Sequence, residues 1–301
     1  MIERLTRREF ATVAGGAAAS LLPWPAWAQG AALLSKPIPR TGEGLPAVGL
    51  GTAYAYNTND DPTRRKADEV VAVLLAGGGR LIDTASTYGN AESVFGDVVA
   101  ARAWRDKFFI ATKVEEPDES ELKRSLARLK TGKVNLLQLH NVRNPNQSLA
   151  RFRAWQQAGI CRYVGITSTF RSDFPAVEAV LRHEAPEFVQ IDYSLDNREA
   201  EKRILPLAAE KKTAVLTALP FGRGRLFRAV RGKELPEWAK EFDAQSWAQF
   251  FLKFLLADER VTAVIPGTAN PAHMTDNLGA GRGKLPDAAM RKRMVSFAEA
   301  L

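Results

Sequence analysis

The sequence predicts an α/β chain folded as a (β/α)8 barrel, a TIM barrel, with an N-terminal β-hairpin, and three observations carry that expectation. Apolar, strand-like runs start near Leu81, Phe108, Val134, Cys161, Phe188 and Ala214, at intervals of 27, 26, 27, 27 and 26 residues. Amphipathic segments fill the intervals, at residues 120–130, 149–157, 173–183 and 198–211. Three successive runs end not in another apolar residue but in Asp83, Lys113 and His140. A strand followed by a helix at a fixed period means βα units on a parallel sheet. Further strands near Val48 and at residues 261–265 bring the count to eight, which is the arithmetic of a barrel of about 250 residues. An open, doubly wound sheet is the competitor. It is weakened because no Gly-x-Gly-x-x-Gly follows the first strand, and residues 42–51 lack that spacing.

The first thirty residues read as a targeting segment outside the barrel. Arg4, Arg7 and Arg8 precede a mild apolar stretch from Ala11 to Leu22, and Ala26-Trp27-Ala28 forms a small-x-small cleavage pattern. Twelve such residues are too few to cross a hydrocarbon core, which needs about 20, so the segment is no stable membrane anchor. Thr6-Arg7-Arg8-Glu9-Phe10 resembles a twin-arginine signal. That implies the twin-arginine export machinery as a partner during targeting, and a periplasmic or otherwise exported location. The expected division is a signal peptide at 1–28 and the barrel at 37–301.

Glycines, prolines and short apolar pieces at 38–51 predict a small hairpin leading into the first strand. Residues 68–75 have helical apolar spacing. Arg80-Leu81-Ile82, after Gly77-Gly78-Gly79, reads as a buried strand ending in Asp83, with Tyr88-Gly89-Asn90 on the loop beyond it. Residues 219–243 form a long segment rich in Arg, Gly and Pro, followed by Trp247 and a helix-like stretch at 245–256. It either covers a ligand or packs its aromatics on the barrel.

Composition narrows the classes. Apolar residues make up 46% and charged residues 25% of the 301, which excludes disorder as the main reading. The formal charge of +8 is scattered, with short clusters only at 64–66 and 291–293 and no interleaved aromatics, so no nucleic-acid partner is expected. The single cysteine, Cys161, can form neither an internal disulfide nor a metal cluster, and no metal-ligand spacing occurs.

In a barrel the carboxyl ends of all strands open on one face. Asp83, Tyr88, Lys113 and His140 are therefore expected on one rim, as a set suited to carbonyl reduction. Hydride delivery to a carbonyl leaves an alkoxide that needs a proton, and a phenol can supply it. A Lys ammonium about 4 Å away, at an effective dielectric of 20, contributes roughly 4 kcal/mol, or about 3 pK units. Lys113 is thus expected to draw the Tyr88 phenol down close to working pH. Asp83 would keep Lys113 charged, and His140 would donate a hydrogen bond to the substrate oxygen.

The chain resembles the aldo-keto reductases. The resemblance rests on Gly49-Leu50-Gly51-Thr52, Asp83 with Tyr88-Gly89-Asn90, Ala111-Thr112-Lys113, Leu139-His140, Gly165-Ile166-Thr167-Ser168, Val189-Gln190, Gly222-Arg223-Gly224 and Ile265-Pro266-Gly267-Thr268. It implies a catalytic tetrad of Asp83, Tyr88, Lys113 and His140, a small carbonyl or alcohol substrate, and NADP as cofactor, with NAD possible. It also implies cofactor contacts from Gly51, Thr52, Thr167, Ser168, Gln190, Ala218, Phe221, Gly222, Arg223, Gly267, Thr268, His273 and Asn277. Here the chain departs from the family pattern. Thr167-Ser168 replaces a Ser-Asn pair, and Ala218 stands where an aromatic ring stacks on the nicotinamide unless Phe221 supplies one. Gly267 and His273 stand where Lys and Arg often grip phosphate, with Arg223 and Arg225 as possible substitutes. Asn141 follows His140, where many members carry Trp. The alternative is an exported barrel that binds small ligands through a degenerate cofactor site without turnover.

Overall fold

The computed structural model describes residues 32–301, so the expected signal peptide lies outside the described residues. Two short antiparallel strands come first, β1 (Ser35–Pro37) and β2 (Gly44–Pro46), with Lys36 opposite Leu45. The hairpin begins earlier than residue 38. Lys36 explains why: its ammonium donates to the carbonyls of Leu256, Asp258 and Val261 at 2.7–2.9 Å, pinning the hairpin across the bottom of the barrel. Ile38 and Leu45 plug that end, buried with Leu81, Phe109, Leu136, Tyr163, Phe188, Leu216 and Ile265.

Eight parallel strands follow: β3 (Leu50–Gly51), β4 (Leu81–Asp83), β5 (Phe109–Val114), β6 (Val134–Leu139), β7 (Cys161–Ser168), β8 (Phe188–Asp192), β9 (Ala214–Ala218) and β10 (Val261–Val264). They pair in sequence order. Bridges from Val48 to Val264 and from Gly51 to Gly267 bring the last strand back to the first and close the barrel. Gly51 is needed at that seam, because a Cβ there would lie 2.8 Å from the Ile265 carbonyl oxygen. No helix among the described residues is long and apolar enough to cross a membrane.

The helices form the outer layer, and polar caps set several of their starts. Asp60 accepts from Thr63 N ahead of α1 (Asp61–Ala76), and Asp118 accepts from Ser120 N ahead of α3 (Glu119–Arg128). Each satisfies a backbone donor that the first helical turn leaves unpaired. Between them, α2 (Ala91–Ala101) starts directly after the Tyr88 loop. The remaining helices are α4 (Ala150–Gln157), α5 (Phe174–Glu184), α6 (Ile204–Glu210), α7 (Arg225–Ala229), α8 (Trp247–Leu256), α9 (Pro271–Gly279) and α10 (Ala288–Glu299). The segment 219–243 is not structureless: it contains α7 and two 3-10 turns. Trp238 packs on Phe250 and Phe297, and Trp247 packs on Phe251.

Helix α2 fixes the loop that precedes it. Glu92 is buried, accepts from Thr112 Oγ1 at 2.6 Å and from Ser125 Oγ, and pairs with Arg128 Nε at 3.0 Å. One turn on, a Cβ at Gly96 would sit 2.1 Å from the Arg128 carbonyl oxygen, so α2 and the end of α3 pack backbone against backbone. Gly96→Ala gains up to about 1 kcal/mol of helix propensity, but the overpacking penalty of about 1–3 kcal/mol should exceed it. We expect lower stability in urea denaturation. A variant as stable as the parent would show that this close approach is absent.

Candidate active site

Each strand end delivers one group to the carboxyl-end rim. Asp83 is the last residue of β4, Lys113 lies one before the end of β5, and His140 directly follows β6. The parallel register pairs Val114 with Leu139, so Glu115 and His140 are the next residues on adjacent strands. Asp83 and His140 meet around a cavity of ≈ 880 Å³ whose wall also includes Tyr88, Glu115, Gln190, Asp192, Ala218 and Arg223, and Lys113 lies buried behind it.

Lys113 is enclosed, and its Nζ donates to Asp83 Oδ2 and to the Thr84 carbonyl, both at 2.7 Å. Gln138 Nε2 donates to Gln190 Oε1 at 3.1 Å and approaches Asp83 Oδ1 at 3.4 Å, while Gln190 Nε2 donates to Asp83 Oδ2 at 3.2 Å. Burial lowers the Lys113 pKa, but attraction to Asp83 and contact with Tyr88 outweigh it, so the ammonium is held above its ordinary value.

The Lys113 ammonium lies 4.9 Å from the centre of the Tyr88 ring. The expectation that it draws the phenol toward working pH is reversed. Burial raises the Tyr88 pKa, Lys113 lowers it and Asp83 raises it again, and the net displacement is upward. Burial is the largest cause, and Asp83 offsets part of the field that a lone ammonium would exert. Tyr88 is therefore held as a protonated phenol.

His140 packs edge-on to Tyr88, with ring centres 5.7 Å apart. Its Nδ1 is hydrogen-bonded to Glu115 Oε1. Thr87 Oγ1 donates to the same carboxylate oxygen at 3.1 Å and lies 3.4 Å from His140 Nδ1. Burial and Lys113 lower the His140 pKa against Glu115 and Asp83, leaving it below the ordinary value.

Of the other residues singled out in the sequence, Gly51, Thr52, Gln190, Ala218, Phe221, Arg223 and Gly267 line the cavity. Thr167 and Ser168 do not. Thr167 Oγ1 accepts from Asn141 N at 3.0 Å, and Ser168 Oγ donates to Asp173 Oδ2 at 3.0 Å and accepts from Phe170 N at 3.2 Å. Ala218 presents only a methyl group to the cavity. Phe221 is the nearby aromatic, tilted on Phe227 at 4.8 Å. Gly222 is buried, and a Cβ there would meet the Asp196 carboxylate at 2.4 Å. Arg225 is committed to Asp196 at 2.7 Å, whereas Arg223 has no ion pair among the described residues. Thr268, His273 and Asn277 lie outside the cavity wall, at the start of and along α9. There the Thr268 hydroxyl accepts from Asn270 N at 3.0 Å.

Sequence reasoning missed Glu115, Thr87, Asp192, Phe170 and Arg171, all on the wall. Glu115 had a usable signal, since it stands two residues after Lys113 and beside His140 in register. Asp192 shares the inward face of β8 with Gln190, and its buried Oδ1 has no hydrogen-bond partner. Among the described residues, no three His, Cys, Asp or Glu side chains come together as metal ligands would.

The Tyr88 assignment has a direct optical check. The tyrosinate absorbance of the parent minus that of Tyr88→Phe, titrated in the absence of ligand, should show no ionisation below about pH 10, the ordinary tyrosine value. A difference signal with a midpoint near 7 would restore the sequence expectation.

Comparison with known proteins places the chain. The sequence profile described as the Aldo/keto reductase family matches residues 47–294. The chain is 25% identical over 278 residues to the uncharacterized oxidoreductase YqkF of Bacillus subtilis, covering 79% of this chain and 87% of that one. It is 26% identical over 248 residues to an aldo-keto reductase of Mycolicibacterium smegmatis, covering 78% and 81%. A crystal structure of an aldo-keto reductase from Klebsiella pneumoniae in complex with NADPH shares the fold, with a TM-score of 0.74, 21% identity, and 88% and 96% of the two chains covered. The protein belongs to the aldo/keto reductase family of oxidoreductases.

Proposed function

We propose that the protein reduces a small aldehyde or ketone to the alcohol, or runs the reverse oxidation, with a nicotinamide cofactor, NADPH in preference to NADH. The observation that carries this reading is the meeting of Tyr88, Asp83 and His140 on one cavity wall, with the Lys113 ammonium buried behind them against Asp83 and the Tyr88 ring. The cavity also suits the cofactor. It carries an unpartnered buried acceptor in Asp192 Oδ1, the Gln190 amide, and an Arg223 free to meet a phosphate. Similar folds in solved structures hold NADP or NADPH.

When bound, the cofactor supplies the hydride. Tyr88 holds the proton destined for the substrate oxygen, and its raised pKa keeps that proton in place until an alkoxide, a far stronger base, forms beside it. Lys113 stabilises the phenolate left behind, and Asp83 keeps Lys113 charged and aimed. His140 is fixed through Nδ1, which leaves Nε2 for the substrate oxygen.

The rival, a binding barrel without turnover, draws support from Ala218 and from the committed Ser168 hydroxyl. Fluorescence titration separates the two readings. Micromolar NADPH should bind both the parent and Tyr88→Phe. The substitution should cut carbonyl reduction by about 10²–10⁴-fold, the usual contribution of a positioned acid. No binding up to millimolar cofactor favours the rival, and parental activity in the variant removes Tyr88 from its role.

We further propose export, on the strength of residues 1–28. A chain exported already folded would carry its cofactor with it. Cell fractionation should find the mature chain in the periplasm, beginning near Gln29, with nucleotide bound. An intact N-terminus in the cytoplasm would exclude this.

A further inference from the structure

Among the described residues, His140 carries two hydrogen-bonding contacts on one ring nitrogen and none on the other. Nδ1 faces Glu115 Oε1. Thr87 Oγ1 spends its hydrogen on that carboxylate, so toward Nδ1 it can present only its oxygen. A carboxylate accepts and never donates, and here the hydroxyl does the same, so both partners require a hydrogen on Nδ1. Glu115 is itself held in place. Its backbone N–H donates to Glu121 Oε1 at 3.1 Å, and Ser86 Oγ from the Tyr88 loop donates to the same oxygen at 2.5 Å. Nε2 makes no hydrogen bond among the described residues, and the His140 ring lines the cavity.

We infer that Glu115 is a positioning residue that fixes the proton of His140 on Nδ1, so that neutral His140 offers the substrate a lone pair at Nε2 and donates to a carbonyl only as imidazolium. The sequence-based role for His140, a simple donor, therefore becomes conditional on pH. The groups facing the ring are Glu115 and Lys113 from β5 and its end, and Asp83 and Tyr88 from β4 and its loop. Burial and Lys113 oppose the imidazolium, while Glu115 and Asp83 favour it. With its pKa below the usual 6.5, His140 is neutral at pH 7 and above, where Nε2 accepts from an alcohol hydroxyl. It becomes a donor as the pH falls through that value. Alcohol oxidation is thus favoured on the alkaline side and carbonyl reduction on the acidic side. A Gln at 115 can turn its NH2 toward Nδ1, which moves the proton to Nε2 and makes neutral His140 a donor.

The consequence for turnover rests on the carbonyl-reductase reading, but the tautomer does not, so the test reads both. Two-bond 15N–1H correlation NMR on the purified chain resolves the three histidines, with His140→Gln identifying the signal. At pH 7.5 the parent should show His140 protonated on Nδ1. Glu115→Gln should shift the ratio toward the Nε2-protonated form by roughly tenfold, the weight of one hydrogen bond to a charged group, and Glu115→Asp should restore the parental form. Nε2 protonation in the parent, or the same ratio in parent and Glu115→Gln with the variant folded by circular dichroism, overturns the inference. In turnover, kcat/KM for reduction should rise toward acid in the parent and be flat between pH 5.5 and 8 (roughly, spanning the ordinary imidazole range) in Glu115→Gln. Identical profiles would overturn it. A chain with the expected tautomers and no reductase activity would support the Glu115 assignment while refuting the reductase reading.

Discussion

One buried ion pair, Lys113 on Asp83, governs the geometry of the rim. The two side chains are only 1% and 3% exposed. Charges removed from water at that depth are stabilising only if their remaining hydrogen-bond positions are also filled. Here the Thr84 carbonyl takes a second ammonium hydrogen, and the Gln138 and Gln190 amides close around the carboxylate. The network draws on β4, β5, β6 and β8, so it closes only when four strands share one register. A one-residue slip of β5 would turn Lys113 toward the helix layer and leave Asp83 buried and unpaired. The polar centre of this barrel therefore specifies the alignment of its strands as well as its chemistry.

Burial, helped by the same pairing, explains the behaviour of the phenol. A lone ammonium near Tyr88 would favour phenolate strongly, whereas an ammonium already matched by a carboxylate acts more as a dipole, and burial then prevails. At His140 the arrangement differs: a neutral imidazole is hydrogen-bonded to the Glu115 carboxylate, with no charge to match it. The site thus holds its transferable proton on an oxygen, the Tyr88 phenol.

The periodic pattern made the barrel legible because every βα unit has nearly the same length. The strand ends exposed Asp83, Lys113 and His140 because a polar residue closing an apolar run has few structural uses. Two things were hidden. The direction of the Tyr88 shift depends on how thoroughly Asp83 matches Lys113 and how deep the phenol lies, and neither is encoded in spacing. The Thr167 and Ser168 hydroxyls looked available because their partners, Asn141 N, Phe170 N and Asp173, are backbone groups and a loop acid. The choice between partner and ligand is made by loop geometry. Glu115 was an intermediate case. Its register with His140 was deducible, but an acid just past a strand end reads as a solvated turn residue until the imidazole is seen to lean on it.

Loop geometry is also where this chain accepts strain. Among the described residues nine non-glycine positions have left-handed φ, and four of them, Tyr54, Asn141, Leu219 and Arg223, line the cavity. Such backbones cost of order 1–3 kcal/mol each and persist only where their surroundings over-determine them. Thr167 supplies part of that restraint, since its hydroxyl and carbonyl both accept from the 141–142 backbone. On the loop after β8, Asp196 ties Ser194 to Arg225 beneath Gly222. Farther out, Trp238 packs on Phe250 and Phe297, and the Trp247 indole of α8 donates to the Lys233 carbonyl at 2.9 Å, so the segment 219–243 is held against the barrel. The aromatics of that segment and its cavity-lining residues therefore do complementary work: the outer layer binds the loop to the barrel, and that anchorage lets Leu219 and Arg223 keep their strained conformations at the wall.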